Sequence, residues 1–145
     1  MKDSSVVFLD SLREIGVLLG QQDIESAFKT SSGLTLFGYL MEYPEGVFIS
    51  EVLEGVFSQV GPVIDTYQIP DEELTDTMER LQTAYNELVA SVEANDKMDI
   101  LNSLIKLRYS ATQFQLKWSR IGKSKPSKVP QIPPQIGAMM KDLLS

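Results

Sequence analysis

Four carboxylates stand at spacings that could hold a divalent cation. Glu51 and Glu54 are three residues apart in one apolar-patterned segment, and Glu73 and Asp76 repeat that spacing in the next. Residues three apart share one side of a helix, so each pair would present two carboxylates together. Mg²⁺ prefers oxygen ligands and can assist hydrolysis of a nucleotide. A Mg²⁺-dependent nucleotide hydrolase is therefore one function that this chain suggests.

The paired spacing is similar to that of the all-α nucleotide pyrophosphohydrolases, whose catalytic acids lie in two helical pairs. This resemblance implies Mg²⁺ as cofactor and the four carboxylates as its ligands. The positions favour another interpretation. Glu51 and Glu54 lie largely opposite the apolar side of their segment, and Glu73 and Asp76 occupy a first turn, where acids stabilise the helix dipole. We therefore predict a solvated acidic surface, with no catalytic residues, metal ligands or cofactor.

The residue types that are missing also bear on function. The 145-residue chain has no histidine and no cysteine, which excludes Ser-His and Cys-His nucleophile pairs and the usual zinc sites. We therefore expect a protein that is not an enzyme. Acids interrupt the first apolar stretch, no apolar run approaches the roughly 20 residues of a membrane span, and there is no disulfide framework. These features predict a cytoplasmic protein without a membrane span.

The first half of the chain predicts three helices. The segment 34–52 would also suit a β-hairpin around Pro44–Gly46, but its strongly helical neighbours favour a helix–turn–helix arrangement. The predicted helices cover residues 5–20, residues 23–43 with a break or kink at 31–33, and a segment capped by Ser50 that Gly61–Pro62 interrupts.

The second half predicts a long antiparallel α-hairpin. Two segments carry apolar residues at alternating spacings of four and three, which is the pattern of facing heptad seams, and Asn95–Asp96 makes a short turn between them. The seams are Leu74, Met78, Leu81, Tyr85, Leu88 and Val92, followed by Ile100, Leu104, Leu107, Ala111, Phe114, Trp118 and Ile121. The fold predicted is an all-α bundle of about five helices with this hairpin as its spine.

The last long helix carries a second apolar stripe, about 150° around from its seam. The stripe consists of Leu101, Ile105, Tyr109 and Leu116. A helix that is apolar on two sides is expected to pack against several neighbours, at the centre of a bundle or in an oligomer interface. Arg108 falls between the two stripes, so we predict a buried arginine paired with a carboxylate or with backbone carbonyls.

Charge is distributed very unevenly along the chain. Residues 1–99 carry 5 basic and 19 acidic residues, whereas residues 100–145 carry 8 basic and 1 acidic residue. The basic end predicts electrostatic contacts to an acidic surface, made by Lys117, Arg120, Lys123, Lys125 and Lys128.

Composition divides the chain into three parts. Residues 1–122 form the predicted bundle domain, 123–135 a basic, Pro-rich linker, and 136–145 a short amphipathic helix. That helix would present Ile136, Met139, Met140, Leu143 and Leu144 on one face. A helix of about ten residues is marginal alone in water, so we expect it to be ordered only where it docks. Folding back onto its own bundle, exchange with a second copy and binding to a partner all remain open.

These features favour a non-enzymatic protein–protein interaction protein, acting as an adaptor or by self-association. Its partner would be another protein or a second copy in a homo-oligomer, recognised through the bundle surface and the C-terminal segment. Nucleic-acid binding through the basic end is the first alternative, although the acidic remainder of the chain would repel a polyanion. The Mg²⁺-dependent hydrolase is the second.

Overall fold

The structure, a computed structural model, describes residues 3–121 and the side chains of residues 3–119. Five helices account for nearly all of this range: α1 Ser4–Gly20, α2 Ile24–Leu40, α3 Pro44–Thr66, α4 Asp71–Glu93 and α5 Lys97–Ile121. The prediction of an all-α bundle of about five helices is confirmed. The predicted linker, 123–135, and the predicted docking helix, 136–145, lie outside the described residues.

Short polar turns separate the first three helices and the last two. Asp3 accepts a hydrogen bond from the Ser5 amide at the start of α1, and Asp23 accepts one from the Ser26 amide at the start of α2. Hydrogen bonding from Ser26 lowers the pKa of Asp23. Asp96 accepts a hydrogen bond from the Asp99 amide at the start of α5. These side chains satisfy amides that the first turn of a helix leaves without partners.

Two predicted interruptions of helices were wrong. Helix α2 runs unbroken through residues 31–33, and the buried Ser31 hydroxyl is satisfied within its own helix by donating to the Ala27 carbonyl at 2.8 Å. Helix α3 begins at Pro44, not at Ser50, and continues past Pro62 to Thr66. Pro62 cannot donate to the Ser58 carbonyl, but both residues are exposed, so that carbonyl can bond water.

The five helices close into a ring around one core. Each has two principal neighbours, in the spatial order α1, α2, α3, α5, α4 and back to α1. The predicted antiparallel pair of α4 and α5 is present. Gln82 of α4 bonds the Gly16 carbonyl of α1, and Glu93 pairs with Arg13, so α4 also runs antiparallel to α1. Helices α1, α3 and α5 therefore point one way, and α2 and α4 the other.

The predicted seams form the core of this ring. Met78, Leu81, Tyr85 and Leu88 of α4 are buried, with Leu74 and Val92 half-buried at the two ends. On α5 the whole predicted seam from Ile100 to Trp118 is buried, and Trp118 is a core residue as expected. The other helices supply Phe8, Leu12, Ile15, Leu19, Ile49, Leu53, Val56 and Val60.

Helix α3 is long and apolar enough to meet the length and hydropathy test for a membrane span. Core helices of globular bundles meet the same test. Nine of its residues, including Ile49, Leu53 and Val60, are buried against the other helices. Its apolar composition is thus accounted for by its place in the core.

Candidate docking face

The second apolar stripe of α5 lies on the surface of the bundle. Leu101 is 40% exposed, Ile105 57%, Tyr109 65% and Leu116 47%, and Met98 extends the row at 65%. The expectation that this stripe packs against further helices of the bundle was wrong for the part of the chain that the structure describes. A helix in a five-membered ring has one inward side, and the heptad seam occupies it.

Helix α3 adds to the same surface. Gln59 of α3 donates to the hydroxyl of Thr112 at 3.2 Å and to the side-chain carbonyl of Gln115 at 3.4 Å. Helices α3 and α5 run in parallel. Phe48 lies three turns before Gln59 on α3 and is therefore level with residues 101–104 of α5. Phe48 is 52% exposed. We call Phe48, Met98, Leu101, Ile105, Tyr109 and Leu116 the docking face.

The space above this surface is open. Gly55, one turn before Gln59 on α3, is exposed, and no atom lies within 4 Å of the point where a Cβ would stand. A residue without a side chain lets another backbone approach closely. The surface beside the apolar row of α5 is therefore low on the α3 side at Gly55.

Charged residues border the docking face rather than interrupting it. On the far side of α5, Lys106 pairs with Glu87 at 3.1 Å, and Lys117 pairs with Glu73, both across to α4. These two lysines thus join the basic last helix to the acidic α4. Lys117, predicted as a contact for an external acidic surface, is engaged within the bundle.

Arg108 is the charged residue beside the apolar row, and the prediction for it was wrong. Its side chain is exposed and has no ion pair among residues 3–121. It stands next to the stripe that stays on the surface, so its guanidinium remains in water and needs no buried partner. Arg108 is therefore available to a carboxylate of whatever covers the docking face.

The four carboxylates considered as metal ligands are held apart by separate partners. Tyr39 donates to Glu51 at 3.0 Å and Thr35 donates to Glu54 at 2.9 Å. The bond to Glu51 raises the pKa of the Tyr39 hydroxyl. Glu73 pairs with Lys117, and Asp76 pairs with Arg80 at 3.2 Å. Within the described range no three acidic side chains form a group that could hold a metal ion.

Two other surface features lie away from the docking face. Leu36 and Leu40, 65% and 82% exposed, point outward from α2. A cleft of about 490 Å³ opens between the start of α2 and the end of α3, lined by Phe28, Phe57 and Ile64 with Asp23 and Asp65 at its edge. The cleft holds no cluster of groups that suggests a reaction.

The remaining residues predicted to act in binding lie outside the described side chains. These are Arg120, Lys123, Lys125 and Lys128 of the basic end, and Ile136, Met139, Met140, Leu143 and Leu144 of the C-terminal segment. The sequence analysis missed Phe48 and Met98. Met98 lies three residues before Leu101 and continues the helical spacing of the stripe, so the pattern could have found it, whereas Phe48 lies on another helix. Comparison with protein-family models, with curated proteins and with solved structures finds no match to this chain.

Proposed function

We propose that this protein is a non-enzymatic interaction protein whose docking face binds an amphipathic helix. The observation that carries the proposal is the row of exposed apolar side chains on α5, extended by Phe48 of α3. The row runs from Met98 to Leu116, about 27 Å at 1.5 Å per residue. Large apolar surfaces of this kind, bordered by polar residues, are typical of protein interaction sites.

The shape and chemistry of the face favour a helix as its ligand. The apolar row follows one side of α5, and the surface beside it on α3 is low at Gly55. Amphipathic helices bind such surfaces through apolar residues at positions i, i+3, i+4 and i+7. Thr112, Gln113 and Arg108 border the apolar row and would give the complex a polar rim.

Nucleic-acid binding has less support from the same residues. Lys117, the first of the predicted basic contacts, pairs with Glu73. The start of α4, which carries Asp71, Glu72 and Glu73, lies beside this end of α5 and would repel phosphate groups. Each of the four predicted metal ligands also contacts a different side chain, which gives no support to the hydrolase alternative.

A photo-cross-linking residue at position 105 tests the proposal. We expect p-benzoylphenylalanine at position 105 of the full chain to capture a partner in the cells that produce the protein. The same group at position 36 should not capture that partner. Leu36 is the matched control, because it is as exposed as Ile105 but lies on α2.

The captured partner is then purified and titrated against two variants. Ile105→Asp should weaken binding about tenfold or more, since it places a charge in the centre of an apolar contact. Leu40→Asp should leave binding unchanged. If positions 105 and 36 capture the same species, or if the purified partner binds Ile105→Asp as tightly as the parent, the proposal is wrong.

A further inference from the structure

We infer that in the resting molecule the docking face is covered by residues 136–145 of the same chain, which a partner helix must displace. This inference rests on the proposed function for the ability of the face to bind a helix. It adds that residues 136–145 occupy the docking face, and that they regulate partner binding by competing with the partner helix. Three observations support it: the chemistry of the segment, its reach, and the charges at the end of α5.

The C-terminal segment has the features of a ligand for the docking face. Its apolar residues Ile136, Met139, Met140 and Leu143 recur at i, i+3, i+4 and i+7. Methionine side chains adapt to irregular apolar surfaces. Ten helical residues extend about 15 Å, so the segment would cover about half of the row between Met98 and Leu116. Such a short helix gains stability chiefly from contacts with a partner surface.

The length of the intervening chain allows the segment to reach the whole face. Helix α5 ends at Ile121, so 14 residues, 122–135, separate it from the segment. A Pro-rich linker of this length spans up to about 43 Å at 3.1 Å per residue. Leu101, near the far end of the face, is about 30 Å back along α5. A tether of this length gives an effective concentration on the order of millimolar, which favours binding within one molecule.

Charge complementarity would hold the linker beside the bundle. Helix α5 ends next to the start of α4, where Glu73 meets Lys117, and level with Asp65 at the end of α3. Asp65, Asp71 and Glu72 are exposed and have no ion pair among the side chains of residues 3–119. Lys123, Lys125 and Lys128 follow directly in the sequence. Each attraction is modest and screened by salt, but together they direct the chain back over the bundle.

The absence of cysteine allows a clean test in the full chain. Ile105→Cys with Met140→Cys is treated with a short bis-maleimide at low protein concentration, and the intramolecular product is followed by peptide mass spectrometry. Leu36→Cys with Met140→Cys is the control, because Leu36 is equally exposed on another side of the bundle. We expect the first pair to cross-link about tenfold faster. Adding Met139→Asp and Leu143→Asp should lower its rate to that of the control.

Each outcome decides the inference. Equal rates for the two pairs would show that the segment does not rest on the docking face. Products that join two molecules would place the segment of one copy on the face of another, and would overturn binding within one chain. Neither result bears on the partner titration with Ile105→Asp. The proposed function can therefore stand when this inference fails, and fast intramolecular cross-linking can stand when no partner is found.

Discussion

At the scale of single residues, Tyr85 shows how a predicted seam position acquires a specific role. Its hydroxyl donates to the Leu12 carbonyl of α1 at 2.6 Å, and the side chain is fully buried. The ring lies close over Gly16, where a Cβ would stand 3.2 Å from Cε1. Burial raises the pKa of the Tyr85 hydroxyl above its usual value of 10.0. The heptad spacing predicted that Tyr85 is buried, but gave no indication of its acceptor.

We expect Tyr85→Phe to lower the free energy of unfolding by about 1 kcal/mol at neutral pH, because a buried hydrogen bond is lost. The phenol is neutral in the folded state and ionises near pH 10 once unfolded. Its contribution is therefore complete below pH 10 and falls as pH rises further. Urea unfolding of both proteins at pH 7 and above pH 10 measures this. If the parent and the variant lose equal amounts of stability between pH 7 and high pH, the Tyr85 hydroxyl is not a buried, neutral hydrogen-bond donor.

At the scale of elements, the contact between α2 and α3 depends on one glycine. Gly38 is buried, and a Cβ there would stand 2.7 Å from Val47 Cγ2 and 3.2 Å from the Tyr43 carbonyl oxygen. The two helices approach this closely because residue 38 has no side chain. The sequence does not distinguish Gly38 from Gly33 of the same helix, which is exposed with nothing within 4 Å of its would-be Cβ.

These two glycines form a matched pair for a stability measurement. Gly38→Ala should lower the free energy of unfolding by about 1–3 kcal/mol, because the added methyl group forces backbone and Val47 apart. Gly33→Ala should raise it by about 0.5–1 kcal/mol, since alanine restricts the unfolded chain and favours the helix. Urea unfolding monitored by circular dichroism gives both values. Similar effects at the two positions would contradict the close approach of α2 and α3 at Gly38.

At the scale of the whole molecule, the core and the docking face are separate surfaces of the same helices. Among the side chains that the structure describes, the buried core residues lie between Phe8 and Trp118. The docking face uses the outer side of α5, whose inner side forms the seam. Changes at the C-terminal anchors should therefore alter association while leaving the bundle folded.

Met139→Asp with Leu143→Asp in the full chain tests this separation. We expect the variant to stay folded, with a free energy of unfolding about 1–2 kcal/mol lower, because a segment that docks only on the folded bundle stabilises it modestly. Light scattering over a range of concentrations should show altered association, because the exposed docking face loses its apolar ligand. A large loss of stability would place the segment in the core, and an unchanged association state would argue against its role as an anchor.

The sequence by itself determined the all-α class, the α4–α5 hairpin and the buried seams, because heptad spacing, turn residues and helix caps are local signals. Alternating spacings of four and three identified the core residues of both helices. The same local signals misplaced the start of α3 and predicted an interruption at Pro62. Helix α3 continues through Pro62 because this side of the helix is exposed, so the Ser58 carbonyl, which has no amide partner, can bond water.

Only the tertiary structure decided which apolar stripe of α5 is buried and which carries the docking face. The sequence does not distinguish the two apolar stripes of α5, because which stripe is buried depends on how many neighbouring helices pack against α5. Among the five helices, the principal neighbours of α5 are α3 and α4, so one stripe enters the core. Arg108 lies beside the exposed stripe and is itself exposed. Lys106 and Lys117 form ion pairs with glutamates of α4, and no local sequence pattern could identify these partners.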